Sequence, residues 1–106
     1  MEDSIKKIFK INALYDLYGS LLSQRQSKVI EMYYEDNLSL LEISELENIS
    51  KNAVYDALIK GEHLLLEYEE KLGLLKQENK LKEDLKRLYK EGHLDEEALK
   101  ILKGDN

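Results

Sequence analysis

The chain has 106 residues with no cysteine and no proline, and 36% of them are charged, for a formal net charge of −6. That length suits one domain, and 42% hydrophobic residues can build its core, whereas disulfides and thiolate metal sites are excluded. The acidic balance weighs against a strong electrostatic grip on nucleic acid, because most of that affinity comes from Lys and Arg set against phosphate.

In chain order, a first helix is expected from Ser4 to about Leu21. Ile8, Ile11, Tyr15, Tyr18 and Leu22 share a stripe, and Ile5, Phe9, Ala13, Leu14, Leu17 and Leu21 widen it. An apolar face this broad is expected to be buried on more than one side. Charges recur through Asp16, which rules out the apolar run of a signal peptide. No segment approaches the ~18 consecutive apolar residues of a membrane span. A cytoplasmic location is therefore expected.

Ser23 with Gln26 three residues on forms a capping box that starts a second helix at Gln24. It carries Val29, Ile30, Tyr33 and Tyr34 and should stop near Asp36-Asn37, with Asn37 left-handed. A second capping box, Ser39 with Glu42, opens a short helix. There Leu40, Ile43 and Ser44, then Leu46 or Glu47, follow at helical spacing. The turn Glu47-Asn48-Ile49-Ser50 comes next, with Asn48 in the left-handed region that Asn tolerates. Ile49 can fill the angle between helices, and Ser50 can cap a following helix whose inward residues are Val54 and Leu58. This is the helix-turn-helix pattern. Its second helix is the reading head and leads with its N-terminal residues. The outward positions there are Lys51, Asn52, Tyr55, Asp56 and Lys60. With Ser50, and with Arg25 as a further cation, they form the candidate nucleic-acid-binding set.

No stop signal follows Lys60, so this helix should run to Leu72, with Leu64, Leu65, Tyr68 and Leu72 as its stripe and Gly73 as the breaker. Beyond it, Leu74, Leu81, Leu85 and Leu88 make a narrow stripe close to heptad spacing among lysines and glutamates. They are the candidate dimerisation residues. Gly92 should end that helix. Asp95 should cap a last one from Glu96 to Lys103, with Leu99 and Leu102 inward and Gly104 at its end.

Chemistry of its own is not expected. His63 and His93 lie thirty residues apart without a carboxylate constellation, and no phosphate loop or nucleophile–base pair is present. Glu67, Glu69 and Glu70 fit a solvated helix face with Lys71 as a local partner. No metal or cofactor is called for. Four of the seven tyrosines, Tyr15, Tyr18, Tyr33 and Tyr34, fall on core stripes. Tyr55 does not, because its neighbours in helical phase are polar. It either contacts a base or partner or packs onto the preceding helix. The segment from Leu38 to Lys60 sets Glu42, Glu45, Glu47 and Asp56 against Lys51 and Lys60, and the chain's two arginines, Arg25 and Arg87, lie outside it.

Leu22 to Leu65, with LLSQRQSKVIEMYY, LSLLEIS and ISKNAVYDAL, resembles region four of bacterial sigma factors. Those modules place Arg or Lys more generously on the reading helix. A closer resemblance is to the YlxM family of helix-turn-helix proteins. It is carried by the tetrad AVYD, Ala53 to Asp56, by LLLEYEEKL after it, and by the stretch from Ile11 to about Leu74; the tail after Leu75 adds nothing to it. Leu46-Glu47 departs from the family's usual acidic-then-apolar order. The resemblance implies a small protein encoded beside the GTPase of the signal recognition particle, assisting or regulating co-translational targeting through the particle's RNA or protein component. The rival readings are a sequence-specific DNA-binding transcription regulator and a protein–protein interaction module without nucleic-acid binding. The expected fold is all-α, a sigma-region-four-like helix-turn-helix core with a long C-terminal helical extension. Residues 1–73 form the helix-turn-helix domain, and residues 74–106 form an extension within the same compact unit.

Overall fold

The computed structural model describes residues 2–93 and 95–102, without the side chains of residues 2, 99 and 102. Every regular element among them is helical: α1 Glu2–Tyr18, α2 Gln24–Ile30, α3 Leu40–Glu47, α4 Lys51–Leu72, α5 Leu74–Lys90 and α6 Glu96–Leu102. A 3₁₀ turn, Gly19–Leu21, follows α1, and a π turn, Glu31–Glu35, follows α2. The fold is all-α, as the periodicity predicts.

Two compact units divide the chain, Met1–Leu72 and Gly73–Asn106. In the first, α4 is the central element, with α1, α2 and α3 packed on it. Ile11, Leu14 and Tyr18 of α1, Leu22 just before α2, Val29 and Ile30 of α2, Ile43 of α3, and Val54, Ala57, Leu58 and Leu65 of α4 are the buried apolar residues of this core. Leu64 is half-buried and Leu72 exposed, so the far end of the expected α4 stripe faces solvent. Gly61 belongs to the core through backbone rather than side chain. A Cβ placed there would lie 3.1 Å from Ile30 Cγ1 and 3.6 Å from Gln26 Cβ, so α2 approaches α4 closely at this point.

The caps are where the sequence places them. Ser23 Oγ accepts from Gln26 N–H while Gln26 Oε1 accepts from Ser23 N–H, both at 3.1 Å. Ser39 and Glu42 make the same reciprocal pair at 3.1 Å. Asn37 and Asn48 take left-handed backbone, φ 57° and 55°.

Two further expectations are corrected. The broad face of α1 is buried only in its C-terminal half: residues 3 to 10 are all exposed, with Phe9 at 71% and Ile5 at 52%, because the core begins at Ile11. Leu21 is exposed as well. The second helix does not run as an α-helix to Asp36. After Ile30 the chain widens into the π turn, which leaves Tyr33 exposed, edge-on to Tyr34 with ring centroids 5.0 Å apart. Of the two residues left open at the end of α3, Glu47 is the half-buried one, and Leu46 faces solvent at 64% exposure.

In the second unit α5 packs against α6. Gly73, at φ 63°, separates α4 from α5, and Gly92, at φ 82°, lies just beyond the end of α5. Asp95 Oδ1 accepts from Ala98 N–H at 2.7 Å, the expected cap of α6. Leu85 is buried and Leu88 half-buried, whereas Leu74 and Leu81 are exposed, Leu81 at 56%. Lys103 and Gly104, and the side chains of Leu99 and Leu102, lie outside the described residues.

Candidate nucleic-acid interface

The turn between α3 and α4 is built from three local decisions. Asn48 N–H closes onto Ser44 C=O, and the left-handed Asn48 ends α3. Ile49 N–H bonds to the same Ser44 carbonyl at 3.1 Å, and the half-buried Ile49 side chain fills the angle. Ser50 Oγ then accepts from Ala53 N–H at 3.0 Å, which starts α4. Behind the turn, Ile43, Val54 and Leu58 lock the two helices together. The helix-turn-helix geometry therefore follows from one capped start, one left-handed residue and one buried apolar cluster.

Packing in this way turns Lys51, Asn52, Tyr55, Asp56 and Lys60 outward, and all five are exposed. Tyr55 is 55% exposed, so more than half of it remains open to a partner. Lys60 Nζ lies 3.1 Å from Asp56 Oδ2, one helical turn away. This internal pair offsets the charge of Lys60. Lys51 has no ion pair among the described residues.

Arg25 is not in the α4 row. It is exposed in the first turn of α2 and, with Lys28, Glu47 and Ile49, borders a groove of about 340 Å³ beside the helix-turn-helix turn. Lys28 pairs with Glu47 at 3.6 Å, so the acidic residue that turns inward at the end of α3 is matched by a cation on α2. Sequence inspection passed over Lys28, although its spacing of three from Arg25 places both on one helix face.

A second polar cluster was also missed. Glu62 is buried on the inner side of α4, accepts from the Tyr34 hydroxyl, and lies 3.7 Å from Lys7 Nζ. Burial and the adjacent Glu62 carboxylate push the Tyr34 phenol above its ordinary range. Heptad-like leucines on either side hide a glutamate of this kind in a sequence; the π turn that delivers Tyr34 to it has no residue signature. Glu69, expected on a solvated face, instead accepts from Tyr18 at 2.8 Å and is half-buried. Glu67 does pair with Lys71 at 2.9 Å as expected, and each holds the other in its charged form. No group of three or more metal-ligating side chains occurs among the described residues, and no described helix is long and apolar enough to cross a membrane.

Comparison with known proteins gives one consistent family. A family model, UPF0122, described as "Putative helix-turn-helix protein, YlxM / p13 like", matches residues 5–104. A UPF0122 protein of Bacillus cereus (strain AH187) is 41% identical over 102 residues, covering 92% of this chain and 93% of the relative. A UPF0122 protein of Thermoanaerobacter sp. (strain X514) is 44% identical over 95 residues, covering 84% and 81%. A UPF0122 protein of Desulforamulus reducens is 52% identical over 71 residues, 67% of this chain and 61% of the relative's length. The similarity thus extends through the second unit, beyond the Ile11–Leu74 stretch on which the resemblance first rested.

Proposed function

The chain belongs to the UPF0122, YlxM/p13-like family of helix-turn-helix proteins, and from that premise we propose that it is a cytoplasmic, non-enzymatic accessory of the signal recognition particle, binding the particle's RNA through the outer face of α4. The observation that carries this reading is the row Lys51, Asn52, Tyr55, Asp56 and Lys60. It is held outward by the buried Val54 and Leu58 and begins at the Ser50 cap. A helix start of this kind presents N–H groups to a phosphate, and Lys51 adds a cation. Arg25, beside the turn, gives a second point of contact with the backbone. Self-association through the second unit accompanies this role, with the exposed Leu74 and Leu81 as the contact and Leu85 and Leu88 as its support.

The acidic surroundings set the strength of binding. Four acids against two lysines between Leu38 and Lys60 leave room for roughly two to four phosphate contacts, each adding a slope of about −0.9 in log K against log salt on duplex DNA. Affinity should be modest. The test is a salt titration of wild type, Lys51→Ala and Asp56→Asn against signal recognition particle RNA and duplex DNA. Lys51→Ala should weaken binding and flatten the salt slope by about one contact. Asp56→Asn should tighten it, because a repelling carboxylate is removed and Lys60 is released from its 3.1 Å partner. Preference for the RNA supports the accessory role. Tight binding to one DNA sequence supports a transcription regulator. No binding to either at low salt, with both variants like wild type, leaves a protein–protein module.

A further inference from the structure

Six of the seven tyrosines lie in the first unit, and five of them are engaged. Tyr15 bonds Ser27, Tyr18 bonds Glu69 and Tyr34 bonds Glu62 through their hydroxyls, while Tyr33 and Tyr68 lie against the rings of Tyr34 and Tyr18. Tyr55 is the exception. The residue is 55% exposed, and among the described residues it makes no aromatic ring contact and no side-chain hydrogen bond. It stands on the outer face of the reading helix, one turn beyond the exposed amide of Asn52. One turn further on lies Ile59, part of a shallow groove of about 450 Å³ completed by Gln26, Lys60, His63 and Leu64. Apolar Ile59 and Leu64 beside the amide of Gln26, the imidazole of His63 and the ammonium of Lys60 suit a flat heterocycle, and Lys60 belongs both to this groove and to the outer row.

Electrostatics then selects the form of nucleic acid. A duplex brings one charge per ~1.7 Å on a rigid frame. Docked on α4, that frame would meet Asp56 and the acidic α3, with Lys60 and Lys28 already held by Asp56 and Glu47. A single strand can turn its phosphates toward Lys51 and solvent while its bases face the protein. Stacking on an aromatic ring needs no protein charge and serves any base. We infer that the outer face of α4 binds unpaired nucleotides, one base stacking on Tyr55 and its neighbour entering the Ile59–Leu64 groove, rather than reading a duplex groove. This rests on the α4 face being the nucleic-acid interface and adds the class of strand it takes.

The experiment titrates the full chain at low salt into single-stranded RNA of about a dozen nucleotides, the same sequence as single-stranded DNA, and both corresponding duplexes. A 2-aminopurine in each strand reports stacking through its fluorescence. Single strands should bind about tenfold or more tightly than the duplexes, and Tyr55→Leu should lose about tenfold on them with the stacking signal abolished. Tyr55→Phe, which keeps the π face, should bind like wild type. The ratio of RNA to DNA affinity identifies which strand is the natural one. Duplexes binding as tightly as single strands, or Tyr55→Leu binding like wild type with unchanged helical circular dichroism, would overturn the stacking mode and leave the interface standing. Failure of every probe at low salt would remove the interface itself.

Discussion

At the scale of single residues, Gly61 and Tyr34 show how much depends on contacts that periodicity does not report. Gly61 lies inside α4, where glycine costs about 1 kcal/mol relative to alanine. Alanine there would press its Cβ to 3.1 Å from Cγ1 of Ile30, which is 1% exposed and would have to give way within the core. Overpacking of this kind costs about 1–3 kcal/mol, which exceeds the gain in helix propensity. Gly61→Ala should therefore lower stability by roughly 1 kcal/mol in urea unfolding, and an increase would show that α2 can back away from α4. Tyr34 gives a pH dependence. Its phenol is raised by burial first and by Glu62 second, so the folded state keeps a proton that the unfolded chain releases near pH ~10. The resulting stability is complete below that pH and is lost as pH rises toward the folded-state value. Melting followed from about pH 8 to pH 11 should fall more steeply for wild type than for Tyr34→Phe. Equal slopes would mean that the phenol titrates as it does in water.

At the scale of elements, most of the fold was legible because its signals are local. The reciprocal Ser23–Gln26 and Ser39–Glu42 caps, the left-handed Asn37 and Asn48, and the Gly73 break are each set by a few consecutive residues. Ser39→Ala should cost about 1 kcal/mol, the usual worth of an N-cap, with loss of helical signal on heating as the readout. The parts that were not legible depend on partners far away in the chain. Nothing near Ile5 or Phe9 says that the core starts at Ile11. Nothing near Glu62 says that Lys7 and Tyr34 converge on it. For the interface, periodicity placed Lys51, Asn52, Tyr55, Asp56 and Lys60 outward, and the structure agrees. Whether a cation there is already held by an acid, as Lys60 is, depends on rotamers that periodicity does not report.

At the scale of the whole molecule, the stripe on α5 divides by exposure. Leu85 is buried, whereas Leu81 and Leu74 are exposed. Exposed leucines one above the other on an otherwise Lys/Glu-rich helix are the surface expected to meet a second copy. Sedimentation at micromolar concentration should show a dimer for wild type and a monomer for Leu81→Glu. A monomeric wild type would leave the stripe without that role.

The π turn between Ile30 and Asp36 has a consequence for chain length. A wide turn of this kind holds one residue more than an α-helix needs for the same span. Chain length is therefore negotiable at that point, since loss of one residue can be absorbed by closing the turn to α geometry with both flanks kept in phase. A deletion inside α4 has no such outlet, because every following side chain rotates by about 100° around the axis. A chain lacking Glu35 should keep its helical content and a cooperative melt, giving up little beyond the Tyr34–Glu62 bond. A chain lacking Lys60 should lose the packing of Gly61 and Leu65 and fail to fold. Equal damage from the two deletions, measured by circular dichroism, would show that the turn is fixed in length like the helices around it.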